Sequence, residues 1–263
     1  MQTQNPSLAM LNGLADPSSS EITGYLQTLK AWAKPTYSGY RVSTLLRTTE
    51  DEWIPGVNYE FDRHRSICAE QAAIALARQS GASGIESLYV TEWPCGVCRQ
   101  FLWDVASPEL TITNVTCGES TTLGELLPHA FGLETKSDFW ASNLCPQEQW
   151  TQHDANTLLR MTLESSVAPL TRTQGAVLIQ SSDNKNYCGP LLENTAFTPS
   201  LSPMHTALVA LLAARQSPDE NMFQRITAVY LGEPRHAALS YRDTTQVIMK
   251  ALAPKATYDV ISF

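Results

Sequence analysis

Two stretches decide how this chain folds, Ser66-Ile67-Cys68-Ala69-Glu70-Gln71-Ala72-Ala73-Ile74-Ala75 and Trp93-Pro94-Cys95-Gly96-Val97-Cys98-Arg99-Gln100. The two-residue spacing between Cys95 and Cys98 lets both sulfurs converge on one tetrahedral ion at the start of a helix. Cys68 stands at the start of the preceding predicted helix, where exposed N–H groups favour a thiolate. Three thiolates on Zn²⁺ leave the fourth position for water, so we expect a catalytic zinc site.

Glu70 follows Cys68 by two residues, on the same first turn of the predicted helix. It is too close in sequence to be a comfortable second ligand, so we expect its carboxylate to carry protons for the water. A ring carbon bearing an exocyclic amine suits this chemistry. Two alternatives stay open: Glu70 as a favourable first-turn acid only, and a structural zinc with Cys117 or His64 as fourth ligand.

Composition narrows the class of protein. The chain has 263 residues, enough for one large domain or two smaller ones, and a formal net charge of −8. Long nucleic acid binds basic surfaces, so an acidic chain without a basic stripe is a poor candidate, and a small neutral ligand is compatible. No stretch reads as a membrane span or secretory signal, so we expect a cytoplasmic protein with reduced thiols. Cys117, Cys145 and Cys188 are expected to be inert buried thiols.

Apolar periodicity and turn residues predict the elements of the first half. In chain order they are a helix over 20–32, a hairpin over 40–47 and 53–61, a helix over 69–79, a strand over 85–91, a helix over 95–105 and a strand over 111–115. This order predicts an α/β domain of three layers, α/β/α, with a mixed sheet.

The second half repeats the element order of the first. Strands are predicted over 174–179, 187–189 and 226–231, with a buried helix over 201–212. Aligning the two predicted helices places Ser202 over Cys68 and Met204 over Glu70, so the second copy lacks the metal site. We therefore expect four parts: an N-terminal helical arm (1–30), a catalytic zinc domain (31–133), a linker (134–164) and a degenerate copy (165–263).

The motif Cys-Ala-Glu followed by Pro-Cys-x-x-Cys is the pattern of the zinc deaminases. The wider sequence resembles the cytidine deaminase family, specifically its longer, two-domain dimeric branch, over most of residues 31–263. The segments that carry the resemblance are 35–42, 57–61, 95–101, 128–132 and 193–197. It implies a duplicated cytidine-deaminase-like fold, a homodimer and a role in pyrimidine salvage. The implied reaction is hydrolytic deamination of cytidine and 2′-deoxycytidine to the uridine forms.

The resemblance also implies roles for individual residues. Those roles are zinc ligation by Cys68, Cys95 and Cys98, proton transfer by Glu70, binding of the sugar 3′-hydroxyl by Asn58 and Glu60, stacking on the pyrimidine by Tyr40, and reading of the base edge by the backbone of Ala69 and Trp93. Without the resemblance, Asn58 and Glu60 are equally typical of a solvent-facing strand, and Tyr40 of a half-buried strand aromatic.

Three departures from the family pattern bear on the site. Gln71 stands where relatives with three cysteines usually have an Arg that offsets the third thiolate, so we expect Arg63 or Arg65 to compensate, with Arg99 a further candidate. Ser43 and Thr44 replace the usual Gly-Ala, and the connection 61–66 is short and charged.

These departures keep other functions open. The alternatives are the same chemistry on a modified pyrimidine nucleoside, a non-catalytic zinc scaffold and, weakest, a nucleic-acid editor. Two further questions concern the second copy. His205 is expected to be a packed helix residue, and Glu193 and Asn194 either fold the second copy or serve a partner subunit's site.

Overall fold

The computed structural model describes residues 17–61, 66–141 and 153–263, which fall into two compact units. The described residues of unit 1 lie within Met1–Arg78, Ala82–Trp140 and Gln216–Glu220. Those of unit 2 lie within Gln79–Gly81, Ala141–Arg215 and Asn221–Phe263. In these described ranges, no helix has the length and apolar character needed to cross a bilayer.

Unit 1 is built on a five-stranded mixed sheet. Its strands, with a separate two-stranded ladder of β3 and β4, are β1 Ser43–Thr48, β2 Trp53–Val57, β3 Tyr59–Glu60, β4 Ser66–Ile67, β5 Ile85–Val90, β6 Thr111–Asn114 and β7 Glu119–Thr122. The order in the large sheet is β2-β1-β5-β6-β7. β5 and β6 run parallel and the other neighbours antiparallel, so the predicted hairpin and mixed sheet are confirmed.

The helices of unit 1 place the two motifs at helix starts. They are α1 Ser19–Leu29, α2 Ala69–Ser80, α3 Gly96–Val105, α4 Leu123–Leu126 and α5 Ser137–Trp140, with a 3₁₀ turn at Lys30–Trp32. Helix α1 begins with a capping box. The side chain of Ser18 accepts a hydrogen bond from the backbone N–H of Glu21, and the side chain of Glu21 accepts one from the backbone N–H of Ser18. The predicted helices over 20–32, 69–79 and 95–105 are confirmed.

Unit 2 has a four-stranded mixed sheet in the order β11-β10-β8-β9. Its strands are β8 Ala176–Ser181, β9 Asn186–Pro190, β10 Ile226–Glu233 and β11 Thr257–Ser262, and its helices α6 Ala155–Glu164, α7 Pro203–Ala213 and α8 Arg242–Leu252. As in unit 1, an antiparallel hairpin is followed by an antiparallel neighbour and then a parallel strand. The predicted repeat of the element order is therefore present.

The structure corrects part of the predicted linker. Residues 155–164 form α6, which Asp154 caps by accepting from two backbone N–H groups. Leu158, Leu159 and Leu163 are buried, and α6 packs on the sheet of unit 2. The linker prediction was wrong here because the apolar positions follow helical spacing. Ser137–Trp140 is also helical, with Phe139 and Trp140 buried in unit 1.

The prediction that Cys117, Cys145 and Cys188 are buried is confirmed for Cys188. Cys188 is buried on β9, whereas Cys117 is exposed in the turn between β6 and β7, because the strand ends before it. Cys145 lies outside the described residues.

Candidate active site

The three predicted ligands meet at one point of unit 1. The Sγ atom of Cys95 lies 3.8 Å from that of Cys68 and 3.7 Å from that of Cys98. All three sulfurs lie within 4.8 Å of one another. A tetrahedral zinc with Zn–S bonds of about 2.3 Å separates its sulfurs by about 3.8 Å, so the trio fits this ion without rearrangement.

Two helix starts hold the ligands. Cys95 is the N-cap of α3, and Cys68 directly precedes α2. The backbone N–H of Cys68 donates to Oε1 of Gln71 at 3.3 Å, as in a capping box. Gln71 therefore braces the first ligand, a role that the sequence did not suggest.

The thiols share their protons unequally. The pKa of Cys95 falls to about 2, because its contacts with the sulfurs of Cys68 and Cys98 and with backbone N–H groups of α3 favour its thiolate. The contact with Cys95, together with burial, raises the pKa of Cys68, and the contacts with Cys68 and Cys95, together with burial, raise the pKa of Cys98. Protein groups alone thus favour one thiolate of three. Full deprotonation requires a cation at the centre, as a metal site does.

Glu70 is buried beside the sulfurs. Its side chain is 3 % exposed, and Oε2 lies 3.3 Å from Sγ of Cys98. Burial raises the pKa of Glu70 to about 7, against the lowering effect of its hydrogen bonds. A carboxyl group with a pKa near neutrality can both accept and release a proton, which general acid–base chemistry requires.

A pocket of about 310 Å³ opens onto this cluster. It is lined by Ser38, Tyr40, Val42, Asn58, Glu60, Ser66, Ile67, Cys68, Ala69, Glu70, Glu92, Trp93 and Cys95. The structure therefore brings every predicted site residue to one cavity except Cys98, which is buried beneath it. Its volume is at the small end of the range for organic ligands.

Glu60 faces the pocket as an ionised acceptor. Its Oε2 accepts from the backbone N–H groups of Tyr37 at 2.6 Å and Ser38 at 2.9 Å, and its Oε1 accepts from the hydroxyl of Ser38 at 2.5 Å. Burial opposes ionisation, but these bonds keep the pKa of Glu60 below its usual value. The carboxylate is charged at neutral pH and retains lone pairs for a ligand hydroxyl.

Asn58 fixes the segment before β1 that carries Tyr40. Its Oδ1 accepts from the backbone N–H of Val42 at 2.9 Å, and its Nδ2 donates to the carbonyl of Tyr40 at 2.8 Å. One amide hydrogen and one lone pair of Asn58 are left for a ligand. The ring of Tyr40 is 57 % exposed at the pocket mouth, which differs from the half-buried strand aromatic considered as the alternative.

The departures at Ser43 and Thr44 are accommodated by hydrogen bonds. Both residues are fully buried, and their hydroxyls donate to the carbonyls of Leu26 and Tyr89, each at 2.8 Å. The larger side chains thus connect β1 to α1 and β5 and leave no unpaired hydroxyl under the site.

The predicted charge compensation concerns three arginines. Arg63 and Arg65 lie outside the described residues. The guanidinium of Arg99 donates to the carbonyls of Pro94 and Leu126, each at 2.8 Å, so it fastens the loop before α3.

Sequence reasoning missed Ser38 and Glu92 in the pocket wall. Glu92 lies two residues after the buried end of β5 and precedes Cys95 by three residues. Polar side chains directly after a buried strand commonly belong to sites, and this signal was available.

Unit 2 keeps the frame of the site without its ligands. Glu193 accepts from the backbone N–H groups of Leu170 at 2.8 Å and Thr171 at 3.1 Å, as Glu60 does in unit 1. Ser202 caps α7 and hydrogen-bonds Nδ1 of buried His205 at 2.9 Å. Across the residues that the structure describes, the Cys68, Cys95 and Cys98 group is the one cluster able to hold a metal.

A mixed α/β domain with a three-thiolate site, a buried carboxyl group and a small pocket defines a zinc hydrolase-like class. Comparisons with known proteins specify it further. The family model described as the cytidine and deoxycytidylate deaminase zinc-binding region matches residues 19–114, and a second model with that description matches residues 123–246.

Two relatives match most of the chain and agree with the family models. A cytidine deaminase of Shewanella loihica is 31% identical over 241 residues, covering 88% of this chain and 79% of that protein. One of Vibrio vulnificus is 28% identical over 238 residues with the same coverages. The crystal structure of the Mycobacterium tuberculosis cytidine deaminase is 28% identical, with a TM-score of 0.41, over 45% of this chain and 100% of that one. The chain belongs to the cytidine deaminase family, in its two-domain form, and zinc is its metal.

Proposed function

We propose that the protein deaminates cytidine and 2′-deoxycytidine to uridine and 2′-deoxyuridine. The observation that carries the proposal is the buried carboxyl group of Glu70, 3.3 Å from Sγ of Cys98 at the base of the pocket. The proton carrier, the cluster of thiolates and the cavity lie next to one another, as the hydrolytic removal of an amine requires.

The chain's own residues supply proton transfer and orientation. Zinc held by Cys68, Cys95 and Cys98 would act as a Lewis acid that lowers the pKa of a water molecule to near neutrality. Glu70 takes one proton from the water molecule while the water oxygen attacks C4 of the pyrimidine. Glu70 gives that proton to the ring nitrogen, then takes the second proton from the new hydroxyl on C4 and gives it to the amine, so that the C4–N bond breaks, ammonia leaves and a carbonyl remains at C4.

The other pocket residues hold the nucleoside. In this proposal Glu60 and Asn58 bind the sugar 3′-hydroxyl, since they offer an acceptor and a donor to a group that is both. The ring of Tyr40 stacks on the base, and the backbones of Ala69 and Trp93 read its edge. We further propose a cytoplasmic homodimer that acts in pyrimidine salvage on small neutral nucleosides rather than on nucleic acid.

The deciding experiment pairs metal analysis with an ammonia-release assay on the same sample. We expect about one zinc per chain and turnover of cytidine. Glu70→Gln preserves shape but removes the proton carrier, so kcat should fall about 10²- to 10⁴-fold while zinc is retained.

The matched control is Glu86→Gln, an exposed carboxylate on β5, which should turn over cytidine like the unaltered protein. Zinc-loaded protein with no turnover, indistinguishable from Glu70→Gln, would instead support a zinc scaffold. A panel of pyrimidine nucleosides separates cytidine from a modified substrate, since the better substrate has the higher kcat/KM.

A further inference from the structure

Residues 34–42, the loop before β1, are held by the two residues proposed to bind the sugar. The backbone N–H of Lys34 donates to the carbonyl of Asn58 at 2.9 Å, and the N–H of Glu60 donates to the carbonyl of Lys34 at 3.0 Å. The side chains of Asn58 and Glu60 hydrogen-bond further backbone groups of the loop. The position of Tyr40, which this loop carries, therefore depends on the same side chains that face the sugar.

The hydroxyl of Ser38 joins the carboxylate to the backbone of Tyr40. It donates to Oε1 of Glu60 at 2.5 Å and accepts from the N–H of Tyr40 at 3.1 Å. Hydrogen bonds from a hydroxyl to a carboxylate are short and strong, so the first of these contacts fixes the hydroxyl in place. A hydroxyl that donates on one side and accepts on the other sets the distance between its two partners. A shift of the Glu60 carboxylate therefore also shifts the backbone of Tyr40.

The copy of this loop in unit 2 lacks the bond from hydroxyl to carboxylate. There the N–H of Thr173 donates to Oγ1 of Thr171 at 3.2 Å, and Glu193 accepts from the backbone N–H of Thr171 at 3.1 Å. Among the residues that the structure describes, however, Oε1 of Glu193 has no hydrogen-bond partner. The backbone contacts are thus common to both loops, whereas the hydroxyl–carboxylate bond is found in the unit that holds the three thiols.

We propose that Ser38 is a positioning residue that couples recognition of the sugar hydroxyl to stacking of Tyr40 on the base. The inference rests on the proposed function, because that function assigns the 3′-hydroxyl to Glu60 and the base to Tyr40. A 3′-hydroxyl that donates to Glu60 fixes the carboxylate, and the Ser38 hydroxyl then fixes the backbone that carries the ring. A nucleoside without this hydroxyl consequently loses part of its stacking as well as one hydrogen bond.

The test compares cytidine with 3′-deoxycytidine, which lacks only that hydroxyl. In the protein with Ser38, Tyr40→Ala should raise KM about tenfold for cytidine, as for loss of one stacked ring, but only about twofold for 3′-deoxycytidine. In Ser38→Ala, the same replacement of Tyr40 should raise KM by one common factor for both nucleosides, because the connecting hydroxyl is gone. kcat should change little throughout, since the ring contacts ground state and transition state alike.

Two results would overturn the proposal. One is an equal effect of Tyr40→Ala on both nucleosides in the protein with Ser38. The other is an unequal effect that persists in Ser38→Ala, which would show that the coupling does not pass through the hydroxyl. Ser38→Thr keeps a hydroxyl at this position and should restore the unequal effect.

Ser83→Ala is the matched control. Ser83 holds Glu50 through its backbone N–H and its hydroxyl, as Ser38 holds Glu60, and both residues of this second pair lie outside the pocket lining. The variant removes the same kind of bond, so it should leave the unequal effect of Tyr40→Ala as it is in the unaltered protein. Loss of the unequal effect in Ser83→Ala would assign it to general loosening of the fold and contradict a specific role of Ser38.

Backbone amide exchange, followed by NMR without any nucleoside, keeps the inference separate from the activity. The amide of Tyr40 should exchange faster in Ser38→Ala than in the unaltered protein or in Ser83→Ala, because its acceptor is lost. An unchanged rate would overturn the inference whether or not cytidine is turned over. A faster rate in a protein that does not deaminate cytidine would contradict the proposed function and support the contact of Ser38.

Discussion

Glu60 combines two tasks in one carboxylate, because it fixes a loop while facing the pocket. Both its oxygens accept hydrogen bonds from residues 37–38, and hydrogen bonds to a charged group are worth about 1.5–3 kcal/mol each. A neutral amide at this position would keep one acceptor oxygen, but its NH₂ group could no longer accept the hydroxyl proton of Ser38. The charge of Glu60 therefore matters to the loop as well as to a ligand hydroxyl.

Replacing Glu60 by Gln should consequently weaken nucleoside binding strongly. We expect KM for cytidine to rise about tenfold or more, which corresponds to about 1.4 kcal/mol, while zinc stays bound because no ligand moves. Steady-state kinetics with metal analysis on one sample measure both. Ser38→Ala is the milder companion, since it removes only the bond to Oε1. A Glu60→Gln variant that kept the original KM would exclude Glu60 from the binding site.

The candidate site was predictable where spacing constrains chemistry. Two cysteines three positions apart, with a third and a glutamate at the preceding helix start, have few other uses, and these residues converge as expected. Ser38 gave no signal and Glu92 only its place on the loop after β5, because their roles depend on which loops meet at the pocket mouth. A single side chain on a loop leaves no periodic signal.

At the scale of elements, two equivalent glycines let a helix approach a sheet closely. A Cβ on Gly56 of β2 would lie 2.1 Å from the carbonyl oxygen of Ala69 at the start of α2. A Cβ on Gly189 of β9 would lie 2.1 Å from the backbone nitrogen of Ala207 in α7. Any side chain there must push the helix away, because the obstacle is backbone.

Gly56→Ala and Gly189→Ala form a matched pair that separates stability from metal binding. Both should lower the free energy of unfolding by about 1–3 kcal/mol, as overpacking does. Only Gly56→Ala displaces α2, the helix that Cys68 directly precedes, from its place beside Cys95 and Cys98. Only this variant should therefore lose zinc affinity. Denaturant titration and competition with a chromogenic chelator measure the two effects. Equal zinc affinity in the two variants would show that α2 can shift without disturbing Cys68.

The main elements of both units were predictable from apolar periodicity, but β7, β11, α6 and α8 were not predicted. β7 and β11 are edge strands in which no residue is buried, so they lack a buried face to detect. Helix α6 follows a polar segment, and its short apolar stripe was assigned to the linker. Periodicity reports burial, so the two edge strands gave a weak signal, whereas α6, with Leu158, Leu159 and Leu163 buried, gave a signal that was overlooked.

At the scale of the whole molecule, aromatic side chains remain exposed in the single chain. Phe131 in unit 1 is 62 % exposed and Phe197 in unit 2 is 52 % exposed. Phe197 also has a φ of 63°, a left-handed conformation that is costly for a bulky residue. Both lie in segments that carry the family resemblance, 128–132 and 193–197. Exposed aromatic residues are enriched where a second chain binds.

The proposed homodimer follows from covering these rings. Native mass spectrometry should give about twice 29.0 kDa for the unaltered chain. Phe131→Ser and Phe197→Ser remove apolar surface without creating a cavity, so each should raise the dimer dissociation constant tenfold or more, by about 1.4 kcal/mol. Val247→Ser on α8 removes an equally exposed apolar side chain outside those segments and should leave the mass distribution unchanged. A monomeric unaltered chain at micromolar concentration would refute the dimer, and equal weakening by Val247→Ser would deny the two phenylalanines a specific role.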